Sequence, residues 1–491
     1  MYIEQFSAHP LEEDSADLYA PPDGYVDASG IVQRQRTAPT DVPVYAIELR
    51  PEDGLYQLPY AARQADGRPW EGDEVDPFGP RERARQPFYP DASRLFEEID
   101  RFQIGEDGLA GQLDRLADYD FYRAAPSAGR MRSGERAGRD FFPYRPPHLR
   151  RQPSRRTLAQ LTDIVTRAMA TDRYAGGLWL EGTPFVEETA YWLGLLVETT
   201  RPLVATSSQR PHGSLGNDGD RNILDAIRYL RSDAWADESQ RDVLGVVVVV
   251  DQLVIAARSV QKGDARPGGY VATGGHGGVL GSVTTGGEVT ISWRPTRRST
   301  WRSAVRTSQL PDSVEAAMRD TAGARATNRV TIRSSDGALN EDAMPAVEVV
   351  KHAAYREPDD TIDAHREIGV MAVVDRLLFA GALAGLVAEG ATPYGSMSES
   401  VEAALRIAIC AGLPVVKASR GNADGPGEHR YNPLAITAGN LTASKARLLL
   451  MACLLKFGSL PAAADPEAPT PDELRAIRHA LDAYQDVFDT H

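Results

Sequence analysis

The segment from Tyr174 to Thr200, YAGGLWLEGTPFVEETAYWLGLLVETT, decides the fold. A short apolar run at 177–180 is followed by a Gly-Thr-Pro turn at 182–184 and then by a segment rich in apolar residues, which predicts a strand, a tight turn and a helix. In open α/β sheets, ligands bind at the carboxyl ends of strands, where helix N-termini direct backbone N–H groups toward them. Three residues are expected at such a position: Glu181, Gly182 and Thr183.

The composition is that of an ordinary globular protein. A chain of 491 residues is long enough for two or three domains. The formal net charge of -15 gives no bulk electrostatic reason to bind nucleic acid or anionic lipid. The histidines are scattered without metal-ligand spacing, so we expect neither a metal site nor a cofactor.

Features of a secreted or membrane protein are not expected. The first residues contain acids and prolines where a signal peptide needs a basic start and an apolar core. The longest apolar run, around Val246 to Val250, is too short to span a bilayer. Cys410 and Cys453 lie in apolar segments and are expected to be buried rather than disulfide-bonded. We therefore expect a cytoplasmic protein without membrane contact.

Strands alternate with helices from about residue 157, which predicts parallel sheets covered on both faces. The predicted strands are 42–49, 177–180, 202–206, 244–250, 346–351, 385–388 and 414–418. The predicted helices are 95–102, 109–116, 157–170, 221–231, 312–319, 368–380, 398–411, 443–457 with Thr442 as N-cap, and a last helix with Thr470 as N-cap and Pro471 as its first residue. The chain is expected to comprise an irregular N-terminal arm (1–41), a large α/β domain (42–300), a linker (301–345) and a smaller α/β domain (346–491).

The opening segment resembles the second signature of the type II L-asparaginase and glutaminase family, His-Gly-Thr-Asp-Thr followed by Glu-Glu-Thr-Ala-Tyr. The corresponding residues are EGTPF at 181–185 and EETAY at 187–191. Further segments similar to family motifs are SQRP (208–211), NDG (217–219), GVVVVV (245–250), VQK (260–262), GVLG (278–281) and AGNLTASKAR (438–447). Their order and spacing make chance a poor explanation.

The resemblance implies an asparaginase-like α/β fold with two domains, a larger Rossmann-like N-terminal domain and a smaller flavodoxin-like C-terminal domain. It also implies a homodimer or homotetramer. The first third of the larger domain departs from the family pattern. The family's Thr-Gly-Gly-Thr signature is expected near residues 42–54, where AIELR at 46–50 has neither the glycines nor the nucleophilic threonine.

The family's chemistry uses two threonines. One, in the first-strand signature, attacks a side-chain amide, and the other, in the Gly-Thr-Asp turn, works with an aspartate and a lysine. Threonine hydroxyls are weak nucleophiles and need a neighbouring base or cation. Thr183 and Lys262 match the second threonine and the lysine, so both are expected near one oxygen. Glu181 replaces a histidine and is expected either to act as a base or to neutralise Lys262.

Several site predictions have a competing interpretation. Thr183 followed by Pro184 is also a natural N-cap and first helical residue without any chemistry. Pro184 itself replaces the aspartate that, in the family, holds the substrate's amino group. The tetrad Ala-Thr-Gly-Gly at 272–275 imitates the missing first signature, yet glycine-rich loops produce such tetrads freely. Three further residues are predicted to bind substrate or to shape the loops around it: Gly182, Arg210 and Asp218.

Three functions remain open from the sequence. The first is a divergent amidohydrolase acting on a small amide or related carboxylate-bearing substrate, with Thr183, Lys262 and Glu181 active. The second is a non-catalytic relative that binds a ligand or serves as a scaffold subunit. The third is an ordinary L-asparaginase whose first motif does not align. Fold carries little information on function once site residues change.

Overall fold

The computed structural model of the protein describes residues 2–3, 24–27, 31–46, 121–123, 141–143, 154–171, 174–210, 218–273, 277–320, 323–335, 337–352, 361–421 and 433–491. These residues fall into two units. The first unit takes residues 1–153, 171–175 and 208–224, and the second takes residues 154–170, 176–207 and 225–491. The helices predicted at 95–102 and 109–116 lie outside the described residues.

Short antiparallel strands form the described secondary structure before residue 154. Strands β1 (Tyr2–Ile3), β2 (Gly24–Val26), β3 (Val32–Gln33) and β4 (Val42–Ala46) form a sheet in the order β1-β4-β2-β3, and β5 (Phe121–Arg123) pairs with β6 (Phe141–Pro143). The strand predicted at 42–49 is confirmed over Val42–Ala46. Strands β2 and β3 lie in the segment expected to be irregular, because strands of two or three residues are too short to leave a period in the sequence.

A six-stranded sheet is the centre of the following segment. Residues 154–300 supply, in chain order, α1 (Arg155–Met169), β7 (Gly177–Leu180), α2 (Val186–Leu196), β8 (Leu203–Thr206), α3 (Gly219–Arg231), β9 (Val247–Val250), β10 (Leu253–Ala256), β11 (Val260–Lys262), β12 (Tyr270–Ala272), β13 (Val279–Val283) and β14 (Val289–Ile291). The sheet order is β14-β13-β10-β9-β8-β7, and β11 and β12 form a separate hairpin.

The predicted parallel arrangement holds for one half of this sheet. Strands β7, β8 and β9 run parallel, whereas β10, β13 and β14 join by antiparallel pairing. The four consecutive valines of β9 are all buried, as expected for a strand covered on both faces. The carboxyl ends of β7 and β8 therefore face the same edge of the sheet, which is where the predicted site residues begin.

The segment between the two sheets contains a hairpin instead of the predicted helix. Strand β15 (Ser313–Arg319) pairs antiparallel with β16 (Arg325–Thr331), so the helix predicted at 312–319 is wrong. Its Glu, Ala and Met residues favour a helix locally. The turn that follows, in which Gly323 has a φ of +81°, lets the chain pair with a Thr- and Val-containing partner strand, and that pairing overrides local propensity.

A four-stranded parallel sheet, in the order β17-β18-β19-β20, follows. Its elements are β17 (Ala346–Lys351), α4 (Ile368–Phe379), β18 (Ala384–Gly390), α5 (Glu399–Cys410), β19 (Val415–Ser419), β20 (Ile436–Thr437), α6 (Ala443–Phe457) and α7 (Pro471–Thr490). The predicted strands and helices of this segment are confirmed. Thr442 and Thr470 are N-caps as predicted, and Thr470 forms a capping box with Glu473.

The core agrees with the expected α/β class. Helix α6 is almost entirely buried, including Cys453, and Cys410 is also buried and free, as predicted. Among the described helices, none is long and apolar enough to cross a membrane.

Candidate active site

Thr183 and Lys262 are in direct contact. The Nζ of Lys262 donates a hydrogen bond to the Oγ1 of Thr183 at 2.6 Å, across 79 residues of sequence. Thr183 lies in the turn between β7 and α2, and Lys262 is the last residue of β11. Both side chains are partly buried and remain accessible to solvent. A hydroxyl and an amine at this distance form the kind of pair in which the amine can activate the oxygen.

The turn that carries Thr183 is closed by backbone bonds. The carbonyl of Gly182 accepts from the N–H groups of Phe185 at 3.1 Å and Val186 at 3.2 Å. The helix begins at Val186, and its N-cap is Phe185, which makes no side-chain capping bond. The interpretation of Thr183 as an N-cap is therefore wrong, because its hydroxyl bonds to Lys262 instead of to the helix.

Tyr270 holds the same turn from the partner strand of Lys262. In the hairpin register Lys262 lies opposite Tyr270. The buried Tyr270 hydroxyl donates to the backbone carbonyl of Thr183 at 3.2 Å and lies 2.9 Å from the Oγ of Ser207, just after β8. Sequence reasoning missed Tyr270, since only the register of β11 with β12 shows that it faces the turn.

A carboxylate from helix α2 fixes the backbone of Lys262. The N–H of Lys262 donates a short hydrogen bond to Oε2 of Glu187, which lies in the first turn of α2. The sequence accounts for Glu187 as an acid favoured near a helix N-terminus. Among the described residues, the carboxylate in contact with Lys262 is thus Glu187.

Glu181 has a different environment. Its Oε2 accepts a hydrogen bond from the indole of Trp179 at 2.9 Å. Burial raises the pKa of Glu181, hydrogen bonds from Trp179 and Thr189 oppose the rise, and the negative charge of Glu188 adds to it. A carboxyl with a raised pKa is better suited to accept and return a proton near neutral pH than an ordinary one.

The comparisons with known proteins bear on this arrangement. Residues 151–297 match the family model described as Asparaginase, N-terminal. The chain is 26% identical over 307 residues to a glutaminase-asparaginase of Acinetobacter glutaminasificans, which covers 60% of this chain and 74% of that protein. It is 25% identical over 301 residues to L-asparaginase 2 of Bacillus subtilis (strain 168), which covers 61% of this chain and 66% of that protein. Over these residues the chain is similar to the asparaginase family.

One solved structure is also similar to this chain. A crystal structure of a probable cytoplasmic L-asparaginase from Campylobacter jejuni aligns with a TM-score of 0.48 at 20% identity, covering 68% of this chain and 86% of that chain. The predicted family resemblance and the predicted α/β asparaginase-like fold are confirmed, and the family model begins at residue 151, close to the position where the motif similarity starts. The first-strand segment near 42–54 is described only as far as Ala46.

The predicted substrate-binding residues Arg210 and Asp218 lie in the first unit. Asp218 accepts hydrogen bonds at 3.0–3.1 Å from the hydroxyl of Ser208, the backbone N–H groups of Gln209 and Arg210, and the side-chain amide of Asn222. These bonds organise the loop after β8 around one carboxylate. Their role in binding substrate remains a prediction.

Gly182 belongs to the turn itself. A Cβ built on Gly182 would meet only the Cδ of Pro184, at 3.7 Å, which is an ordinary contact. Space alone therefore does not require glycine here, and its role in binding substrate also remains a prediction.

The tetrad at 272–275 places its threonine away from the pair. The N–H and hydroxyl of Thr273 both donate to the carbonyl of Ser259, at 2.8 Å and 3.2 Å. Since Lys262 lies opposite Tyr270 in the register, Ser259 and Thr273 lie at the other end of the hairpin, about 10 Å along the strand. This position argues against Thr273 as the partner of Lys262.

Proposed function

We propose that this protein is an amidohydrolase that hydrolyses the amide of a small, carboxylate-bearing substrate at the Thr183–Lys262 pair. The observation that carries the proposal is the 2.6 Å hydrogen bond between the two side chains at the carboxyl end of β7. Similarity to the asparaginase family supports the reaction class, and the contact supports these two residues as its centre.

The chemistry follows from the pair. In its neutral amine form, Lys262 takes the proton of the Thr183 hydroxyl as Oγ1 attacks the amide carbon, so that a C–O bond forms and the carbonyl becomes a tetrahedral oxyanion. Lys262 then returns the proton to the amide nitrogen, the C–N bond breaks and ammonia leaves. Water hydrolyses the resulting ester by the same sequence, which regenerates the hydroxyl. Glu181, with its raised pKa, is proposed as a second group that carries a proton at the site.

Pro184 affects which amide substrates the proposed site would accept. Where the family resemblance implies an aspartate that holds the substrate's amino group, this chain has a side chain without charge or donor. We propose that the preferred substrate carries no free amino group next to its carboxylate. A non-catalytic relative that binds a carboxylate-bearing ligand is the second candidate, favoured by the same substitution.

The test is ammonia release from asparagine, glutamine and small amides that lack the amino group, such as succinamic acid. Thr183→Ala and Lys262→Ala should each abolish release. Thr273→Ala removes a threonine from the same hairpin and should leave release near the wild-type rate, which makes it the matched control. Absence of release from every amide by the folded protein would contradict the hydrolase and favour the second candidate.

Three wider features complete the proposal. The division into an arm (1–41), a large domain (42–300), a linker (301–345) and a small domain (346–491) is proposed from the sequence. A homodimer or homotetramer is proposed from the family resemblance, and sedimentation velocity would establish it. A cytoplasmic location is also proposed, and cell fractionation would test it.

A further inference from the structure

Lys445 is a fully buried lysine in the first turn of helix α6, and only 2% of its surface is exposed. Its backbone N–H donates to the N-cap Thr442. A cation at a helix N-terminus opposes the helix dipole, and burial of an ammonium group is costly unless hydrogen bonds compensate it. The local sequence therefore does not favour lysine here, and its contacts must account for it.

Those contacts reach the two chain segments that carry the proposed reacting pair. The Nζ of Lys445 donates to the backbone carbonyl of Glu187 in α2 and, at 2.5 Å, to the carbonyl of Ala257, which directly follows β10 in the connection to β11. The same ammonium lies 5.2 Å from the centroid of the Tyr191 ring. One side chain thus joins the start of α2 to the connection between β10 and β11, which leads into the hairpin.

Glu187 connects the two lysines. Its backbone carbonyl accepts from Lys445, and its carboxylate accepts from the backbone N–H of Lys262. Lys262 in turn donates to Thr183. Three hydrogen bonds, joined by the covalent bonds within Glu187 and Lys262, therefore connect helix α6 to the hydroxyl proposed as nucleophile.

The charges that act on Lys445 come from two elements. Helix α2 contributes Glu187 and Glu188, and the segment before β11 contributes Arg258. Glu188 is itself paired with Arg447 of α6, whose guanidinium lies 3.5 Å away. Burial lowers the pKa of Lys445 to about 7, the two carboxylates oppose that change, and Arg258 adds to it. An amine retains two N–H groups, one for each carbonyl, so both bonds persist when the proton is lost.

We propose that Lys445 is a positioning residue that holds α2 to the connection leading into β11 and thereby keeps Lys262 within hydrogen-bonding distance of Thr183. The expected effect on the rate rests on the proposed function, whereas the structural tie made by Lys445 does not. A misplacement of about 1 Å in a reacting group can reduce a rate about 100-fold, so a tie between the two supporting segments has a measurable effect.

The first experiment needs no activity. Hydrogen–deuterium exchange is followed on the full chain for wild type, Lys445→Met and Lys456→Met. Lys456 is the matched control, since it lies on the same helix and its Nζ also donates to a backbone carbonyl, that of Ala304. We expect peptides covering 186–190 and 258–264 to exchange at least about 10-fold faster in Lys445→Met alone, with the strand Val415–Ser419 unchanged. Unchanged exchange in both peptides would overturn the proposal.

The second experiment is a double-mutant cycle on amide hydrolysis. Lys445→Met should reduce kcat about 10- to 100-fold with little change in KM, while Lys456→Met retains the wild-type rate. In a Lys262→Arg background that keeps residual activity, Lys445→Met should add little further loss, because the residue it positions has already been altered. Full additivity would show a general structural role and contradict positioning. If wild type releases no ammonia, the proposed function fails and the exchange measurement alone decides the role of Lys445.

A second variant keeps the exchange measurement possible if the first does not fold. Should Lys445→Met fail to fold, Lys445→Gln, which retains N–H donors on a shorter stem, takes its place in the exchange measurement. Local acceleration of exchange at 258–264 would support positioning, and wild-type exchange there would overturn it.

Discussion

The hydroxyl of Tyr270 donates to the backbone carbonyl of Thr183 at 3.2 Å, so the hairpin that carries Lys262 also holds the turn to which Lys262 bonds. The same hydroxyl lies 2.9 Å from Ser207 Oγ. Thr183 is therefore held, through its hydroxyl and its carbonyl, by two residues that face each other across one strand pair.

Removal of the Tyr270 hydroxyl is expected to loosen that contact. Tyr270→Phe should lower kcat about 10-fold, equivalent to about 1.4 kcal/mol, and reduce the free energy of unfolding by about 1 kcal/mol. Steady-state ammonia release and chemical denaturation would measure the two effects. Ser207→Ala, which removes only the outer partner of the hydroxyl, serves as the comparison. A Tyr270→Phe protein with wild-type kcat would show that the turn does not need this bond.

Activity is expected to depend more on the hydroxyl of Thr183 than on the branched shape of its side chain. Thr183→Val keeps the branched side chain and should reduce kcat/KM at least about 100-fold, whereas Thr183→Ser keeps the oxygen and should stay within about 10-fold of wild type. Ammonia release measures both rates, and thermal unfolding checks that both variants fold. Comparable activity of Thr183→Val and Thr183→Ser would exclude the oxygen from the reaction.

Substrate preference is expected to follow Pro184. Pro184→Asp places a carboxylate where an amino group would bind, and a charge-assisted hydrogen bond contributes about 1.5–3 kcal/mol. The ratio of kcat/KM for asparagine to that for succinamic acid should therefore rise at least about 10-fold. Pro184→Asn, which has similar size without the charge, controls for the loss of proline. An unchanged ratio would show that position 184 does not face the substrate.

Stability is expected to depend on pH through Asp242. This carboxyl is buried, its Oδ1 accepts from the N–H of Leu244 at 2.9 Å, and its Oδ2 has no hydrogen-bond partner among the described residues. Burial raises its pKa to about 7, although bonds from the Leu244 and Gly245 N–H groups and the charge of Arg302 oppose the rise. The folded state therefore keeps a proton that the unfolded state loses above about pH 4.

Because the folded state binds more protons between these two pKa values, the Asp242 contribution falls as pH rises from about 4 to about 7, by at most about 1.4 kcal/mol per pH unit. The measurement is chemical denaturation of wild type and Asp242→Asn across this range. As pH rises, the unfolding free energy of Asp242→Asn should increase relative to that of wild type. A constant difference would contradict a raised pKa.

Local sequence signals predicted the elements well where they were strong. Thr470, Pro471 and Glu473 mark the start of α7, and the consecutive valines of β9 mark a buried strand. They failed at Ser313–Arg319, where a hairpin partner overrode helix-favouring residues.

The candidate site was predictable only in part. The family resemblance selected Thr183 and Lys262, whose contact the structure shows. Tyr270, Glu187 and Lys445 were not selected, because their contacts depend on strand register or join segments 75 to 258 residues apart. A local pattern in the sequence does not show which residues so far apart along the chain come into contact.

The β11–β12 hairpin forms a two-stranded sheet separate from the six-stranded sheet beside it. Lys262 and Tyr270, which hold Thr183 through its hydroxyl and its carbonyl, both lie on this hairpin. Insertion, recombination or gradual substitution within residues 260–272 could therefore change the reaction while the pairing order of the main sheet stays intact. Evolution can therefore alter the chemistry at this hairpin separately from the sheet on which the fold depends.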